Sequence, residues 1–109
     1  MMKFMMTPVA ASADAELVSA SLAGNREAFG YIVSRYQSLV CSLAYSATGS
    51  LSQSEDLAQE TFFAAWKHLG DLREPAKLRA WLCGIARNHI NNFLRGHSSR
   101  SSGRRKLPP

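Results

Sequence analysis

The sequence predicts an all-α fold, a compact bundle of about four helices with no sheet. Apolar residues recur at i, i+3, i+4 and i+7 over long stretches. No alternating apolar-polar run and no Asn-Gly or Asp-Gly hairpin turn is present. Glycines and capping residues punctuate the chain at helix-sized intervals. Length and composition agree with one domain: 109 residues, 46% of them hydrophobic, exclude wholesale disorder and leave little room for a second core. No apolar run reaches the roughly 18 residues that a membrane-spanning helix needs.

The first helix is expected from Asp14, as cap, through Ala23, with Gly24 as the stop. Residues 1–13 before it read as a disordered leader. Met1-Met2-Lys3-Phe4-Met5-Met6 imitates a signal peptide, but Thr7-Pro8 interrupts an apolar stretch already too short for one. Asn25 caps a long second helix whose apolar side is Phe29, Ile32, Val33, Tyr36, Leu39, Val40, Leu43 and Ala44, and Gly49 ends it. Ser52-Gln53-Ser54-Glu55 reads as a capping box opening a third helix that runs to Leu69 and stops at Gly70. Pro75 suits the first turn of a fourth helix with Leu78, Leu82, Ile85, Ala86, Ile90, Phe93 and Leu94 on its apolar side and Gly96 as its end. The domain is therefore placed at 14–96. Residues 97–109, rich in Ser, Arg and Pro, read as a basic flexible linker or tail.

The net charge of +5 is unevenly placed. Residues 1–71 hold four basic and seven acidic side chains, whereas 72–109 hold nine basic and one acidic. Setting aside Arg100, Arg104, Arg105 and Lys106 still leaves 72–99 at +4, so the tail is not the whole effect. A basic second half on an acidic first half implies two faces with different partners, the basic one toward nucleic acid, an acidic protein or anionic lipid.

Stepping about 100° per residue, Leu57, Thr61, Phe62, Ala64, Ala65, Trp66 and Leu69 cover more than half the third helix, the pattern of a helix between two neighbours. The remaining strip holds Asp56, Gln59, Glu60, Phe63 and Lys67. It is either a protein-docking surface or an ordinary solvated face. On the fourth helix the polar strip is Arg87, Asn88, Asn91, Asn92 and Arg95, uninterrupted by any carboxylate. Arginines supply phosphate contacts, and asparagine amides both donate to and accept from base edges. Trp81 falls beside this strip, either open for base stacking or packed on a neighbouring helix.

Four stretches together carry a family resemblance: Asp56-Leu57-Ala58-Gln59-Glu60-Thr61-Phe62, Ala65-Trp66, Leu78-Arg79-Ala80-Trp81-Leu82 and Ile85-Ala86-Arg87-Asn88. With Leu22 through Phe29 and Tyr31 through Tyr36 upstream, the chain resembles region 2 of extracytoplasmic-function (ECF) sigma factors over residues 14–96. The resemblance implies a sigma domain acting in transcription initiation in the bacterial cytoplasm. It implies docking of the third helix on a coiled coil of the largest subunit of bacterial RNA polymerase, through Asp56, Gln59, Glu60 and Phe63. It further implies that the segment Gly70–Lys77 and the fourth helix bind the non-template single strand of the promoter minus-ten element, one base flipped into a pocket. Arg73, Lys77, Arg79 and Trp81, then Arg87, Asn88, Asn91, Asn92 and Arg95, are the corresponding candidates. Primary sigma factors carry more exposed aromatics here. Trp81 followed by Leu82 fits the ECF class, with weaker general melting and stricter sequence demand. An anti-sigma protein is a further expected partner. Full ECF sigma factors add a C-terminal helix-turn-helix domain, which is absent from this chain; its end corresponds to the connecting linker.

No enzyme is expected. The chain has no glycine-rich phosphate loop, no GxSxG and no paired nucleophile and base. His68, His89 and His97 lack metal-site spacing, so neither a metal nor a cofactor is predicted, and His89 reads as a packed histidine. Cys41 and Cys83 read as reduced thiols with nothing nearby to activate them. Two rival functions remain at this level. A helical nucleic-acid-binding regulator would not need the acidic third-helix strip. A module that only sequesters a protein partner leaves the Arg/Asn strip unexplained.

Overall fold

A computed structural model of the chain describes the backbone of residues 6–105 and the side chains of residues 13–96. Its order is α1 (Met6–Leu22), α2 (Arg26–Thr48), α3 (Leu51–Lys67), two short 3-10 turns (Leu69–Asp71 and Pro75–Lys77) and α4 (Leu78–Arg105). No strand occurs among the described residues, as the period of the apolar residues predicts.

The helix ends follow local chemistry. Asn25 Oδ1 accepts from the Ala28 backbone N–H at 3.1 Å, capping α2. Gly24 (φ 104°) and Gly49 (φ 69°) take left-handed backbone that a side chain would resist, which turns the chain sharply between α1, α2 and α3. The cap of α3 is Ser50, not Ser52: Ser50 Oγ accepts from Gln53 N–H at 3.2 Å. Ser50-Leu51-Ser52-Gln53 has the same box spacing two residues earlier, and extended backbone at Ser50 completes it. α3 ends at Lys67 rather than Leu69, and Gly70 lies within the first 3-10 turn.

Both chain ends differ from the expected boundaries. α1 begins at Met6, so residues 6–13, read from sequence as leader, are helical. Pro8 falls within the first four helical residues, whose N–H groups have no intrahelical acceptor, and the alanine-rich run after it has high helix propensity. Asp14 is consequently mid-helix and caps nothing. α4 continues through Gly96 to Arg105, where a linker was expected. A lone glycine costs a helix only about 1 kcal/mol and stops it by turning left-handed, which Gly96 does not do. Met1–Met5 of the expected leader and Lys106–Pro109 of the expected tail lie outside the described residues.

The core is built from files of residues spaced four apart. Ala28, Ile32, Tyr36, Val40 and Ala44 run down α2, and Leu78, Leu82, Ala86 and Ile90 run down α4. α3 adds Leu57, Ala58, Phe62 and Ala65 between them, so α2, α3 and α4 are in mutual contact. Alanines opposite the large aliphatics let the helix axes approach closely, while each buried Leu, Ile or Val contributes about 1.5–3 kcal/mol. Buried Ser54 and Thr61 donate back to the carbonyls of Leu51 (2.7 Å) and Leu57 (2.8 Å), leaving neither hydroxyl unpaired. Two expected core members are displaced outward: Trp66 is 39% exposed and Leu94 37%. Trp66 lies at the rim, edge-on to Phe29 with ring centroids 5.0 Å apart.

α1 is attached differently. Val18 enters the core, and the buried Asp14 carboxylate accepts the Tyr36 hydroxyl while Arg35 Nε lies 3.4 Å from its other oxygen. α1 also packs on both short turns between α3 and α4. The segment connecting the two informative helices therefore rests on the N-terminal helix.

Candidate protein and nucleic-acid interface

Asp56, Gln59, Glu60 and Phe63 all lie exposed on the outward side of α3. Four-residue spacing stacks Asp56 with Glu60 and Gln59 with Phe63 on adjacent lines of the surface. Phe63 is 64% exposed, with Lys67 Nζ 5.3 Å from its ring centroid. Nothing in the core requires these four side chains. They offer an apolar ring flanked by two carboxylates and an amide, suited to a partner helix that carries arginines.

On α4, Arg87, Asn88, Asn91, Asn92 and Arg95 are exposed as well. Arg95 Nη2 donates to Asn92 Oδ1 one turn back, which orients the amide. Asn92 also lines a groove with Gln53, Asp56, Leu57, Glu60, His89 and Phe93, so the Arg/Asn strip adjoins the acidic one. Arg79 stands apart. Stepping about 100° per residue, it falls about 80° from Arg87, on the side away from Asn88 and Asn92. Its positive charge is near enough to act on the Tyr36 phenol inside the bundle.

The chain between α3 and α4 forms an open pocket of about 530 Å³ lined by Asp71, Leu72, Arg73, Glu74, Lys77, Ala80 and Trp81. Trp81 meets both of its possible fates. It is half-buried against the core and also walls this pocket. Lys77 Nζ lies 3.2 Å from Glu74 Oε1, and His68 Nδ1 lies 3.4 Å from Asp71 Oδ2. Both pairs are well exposed and add little stability, although they shape the rim. The pocket thus has an aromatic wall, an apolar side from Leu72 and a rim of mixed charge, Arg73 and Lys77 beside Asp71 and Glu74; a stacking wall and polar edge groups are what hold an unstacked base.

Two relationships escape a sequence reading. His89, read as a packed histidine, is half-buried, and its Nδ1 lies 3.7 Å from Glu60 Oε1 on the neighbouring helix. Tyr36, read as one more apolar position, is pushed up to about 12 by burial and then by the hydrogen bond to Asp14 and its charge. Cys41 is likewise pushed up, by burial and then by Glu55, which keeps its thiol protonated and unreactive. No group of three or more His, Cys, Asp or Glu side chains suited to holding a metal ion occurs among the described residues. Nor is any described helix long and apolar enough to cross a membrane.

The Sigma-70 region 2 family profile matches residues 32–100, from within α2 through α3, both turns and most of α4. The chain belongs to that family. A probable RNA polymerase sigma factor, RfaY, of Xanthomonas campestris pv. campestris is 41% identical over 78 residues, 72% of this chain and 20% of that protein. The ECF RNA polymerase sigma factor BldN of Streptomyces coelicolor is 33% identical over 81 residues, 73% of this chain and 31% of that protein. This region 2 domain thus spans from a fifth to under half of the length of the first curated relatives it matches. Among solved structures, the NMR structure of an engineered region 2 of sigmaE in complex with GTAAAA superposes with a TM-score of 0.75 at 31% identity. The match covers 91% of this chain and 97% of that one, which accords with the ECF-type helical fold.

Proposed function

We propose that this region 2 domain docks on the coiled coil of the largest subunit of bacterial RNA polymerase through α3. From there it recognises and melts the promoter minus-ten element through α4 and the segment between the two helices. One observation carries the reading: two exposed strips of opposite character lie side by side on packed helices, Asp56, Gln59, Glu60 and Phe63 on α3 and Arg87, Asn88, Asn91, Asn92 and Arg95 on α4. Phosphates would be repelled by the first strip and held by the second, so a protein and a nucleic acid can be engaged at once. The likeness to a sigmaE region 2 solved with GTAAAA supports the nucleic-acid half. In this role the domain is an initiation factor rather than an enzyme and works in the cytoplasm, where the polymerase is. The same exposed helices would serve an anti-sigma protein.

Within the strand-binding surface, the pocket beside Trp81 receives the flipped base, with Leu72 as its apolar side and Arg73 and Lys77 toward the phosphates. Arg87, Asn88 and Asn91 face the upstream bases, and Asn92 with Arg95 closes the side toward α3. The test is a titration of the purified chain against the coiled-coil fragment, comparing wild type with Glu60→Lys. Wild-type binding that the charge reversal weakens by at least about tenfold, with helicity unchanged by circular dichroism, is the expected result. A folded wild type that fails to bind removes the docking half and leaves a helical nucleic-acid binder.

A further inference from the structure

Ile85, His89 and Phe93 are spaced four apart along α4 and are all half-buried, so a titratable ring stands where the file is otherwise apolar. Its Nδ1 lies 3.7 Å from Glu60 Oε1; the glutamate side chain is 62% exposed and the imidazole 28%. Asp56 of α3 lines the same groove, α4 adds the neutral amide of Asn92, and no residue of α1 or α2 borders it. One imidazole therefore shares this groove with two carboxylates, in contact with Glu60 alone, and both belong to the strip assigned above to docking. His68, paired with Asp71 past the end of α3, does not line this groove.

We propose that His89 is a proton-responsive positioning residue of the docking face. The neutral imidazole leaves the Glu60 charge to the partner, and the imidazolium claims it. The proposal rests on the reading of α3 as the polymerase-docking strip. Imidazoles change charge between about pH 5 and 8. The imidazolium would pair with Glu60 and add a positive charge where partner arginines must approach. A unit charge about 6 Å from a partner cation in water changes affinity about threefold. Docking is then coupled to proton release, and affinity rises with pH across this range.

The experiment titrates the 109-residue chain against the coiled-coil fragment at about pH 7.5 and about pH 5.8, at constant ionic strength. Wild-type Kd is expected to rise about threefold on acidification, and that ratio to fall to one in His89→Gln. His89→Lys, carrying a fixed charge, is expected to bind weakly at both pH values. Circular dichroism verifies that each variant is folded, and either variant suffices if the other is not. Equal wild-type affinity at the two pH values overturns the proposal, as does a His89→Gln chain that keeps the wild-type pH response or a His89→Lys chain that responds like wild type. Absence of wild-type binding at about pH 7.5 is a separate result and overturns the docking assignment itself.

Discussion

Tyr36 donates a hydrogen bond from its hydroxyl to the buried carboxylate of Asp14, joining α2 to α1 across 22 positions of sequence. Arg35, next to the tyrosine in the chain, lies 3.4 Å from the carboxylate's other oxygen. A buried carboxylate is costly unless it is paired, and here α1 brings the acid while α2 brings both partners. Among the described residues no other side-chain hydrogen bond or ion pair ties α1 to the bundle, so this cluster acts with buried Val18 to set its position.

Removing the phenol hydroxyl should therefore loosen α1. Tyr36→Phe is expected to lower stability by about 1–3 kcal/mol, measured as a fall in the urea midpoint, because the carboxylate keeps only the arginine. The pH response has a definite sign. The phenol is raised from 10.0 to about 12 in the folded chain, so its stabilisation is complete below pH 10 and is lost between pH 10 and 12. An alkaline limb present in wild type and reduced in Tyr36→Phe is the expected pattern. An identical limb in both would place its cause elsewhere.

The two serines at the start of α3 should behave differently. Ser50→Ala removes the hydroxyl that accepts from Gln53 N–H and is expected to cost about 1 kcal/mol in thermal or urea unfolding. Ser52→Ala, one turn-position inside the helix, should be within about 0.5 kcal/mol of wild type. The reverse order would return the cap to Ser52.

Arg87→Ala and Asn88→Ala are expected to weaken binding of a minus-ten non-template oligonucleotide, measured by fluorescence anisotropy. The arginine variant should also reduce the magnitude of the log Kd against log salt slope by roughly 0.7, one phosphate contact on a single strand. The asparagine variant should leave that slope alone while changing base preference. Arg79→Ala serves as the internal comparison. Since Arg79 lies away from the α4 strip, its effect should be smaller than that of Arg87, and equal losses would argue for a broader basic face.

Much of the fold is legible because its signals are local. Asn25, Gly24 and Gly49 act on the residues next to them, and the files Ile32–Tyr36–Val40 and Leu78–Leu82–Ala86 repeat at a spacing that only a helix turns into a face. The chain ends are less legible. The propensity cost of Gly96 is small, and Ser50 and Ser52 differ as caps only through backbone that a sequence does not display. For the interface, periodicity alone places Glu60 and Asn88 outward. It does not say that Glu60 meets His89 or that Tyr36 meets Asp14, since both depend on how separate helices are rotated against each other.

The support that α1 gives to the Pro75–Lys77 turn bears on specificity engineering. The family match begins at residue 32, which invites a chimera cut at that point to transplant base preference from one sigma factor to another. Such a graft would carry the pocket rim but leave behind the helix beneath it. A recipient's own N-terminal helix would then set the rim's height and tilt. On the proposed function, transfer of base preference is expected to need residues 6–22 moved together with 69–81, as an upholsterer moves a spring with its seat.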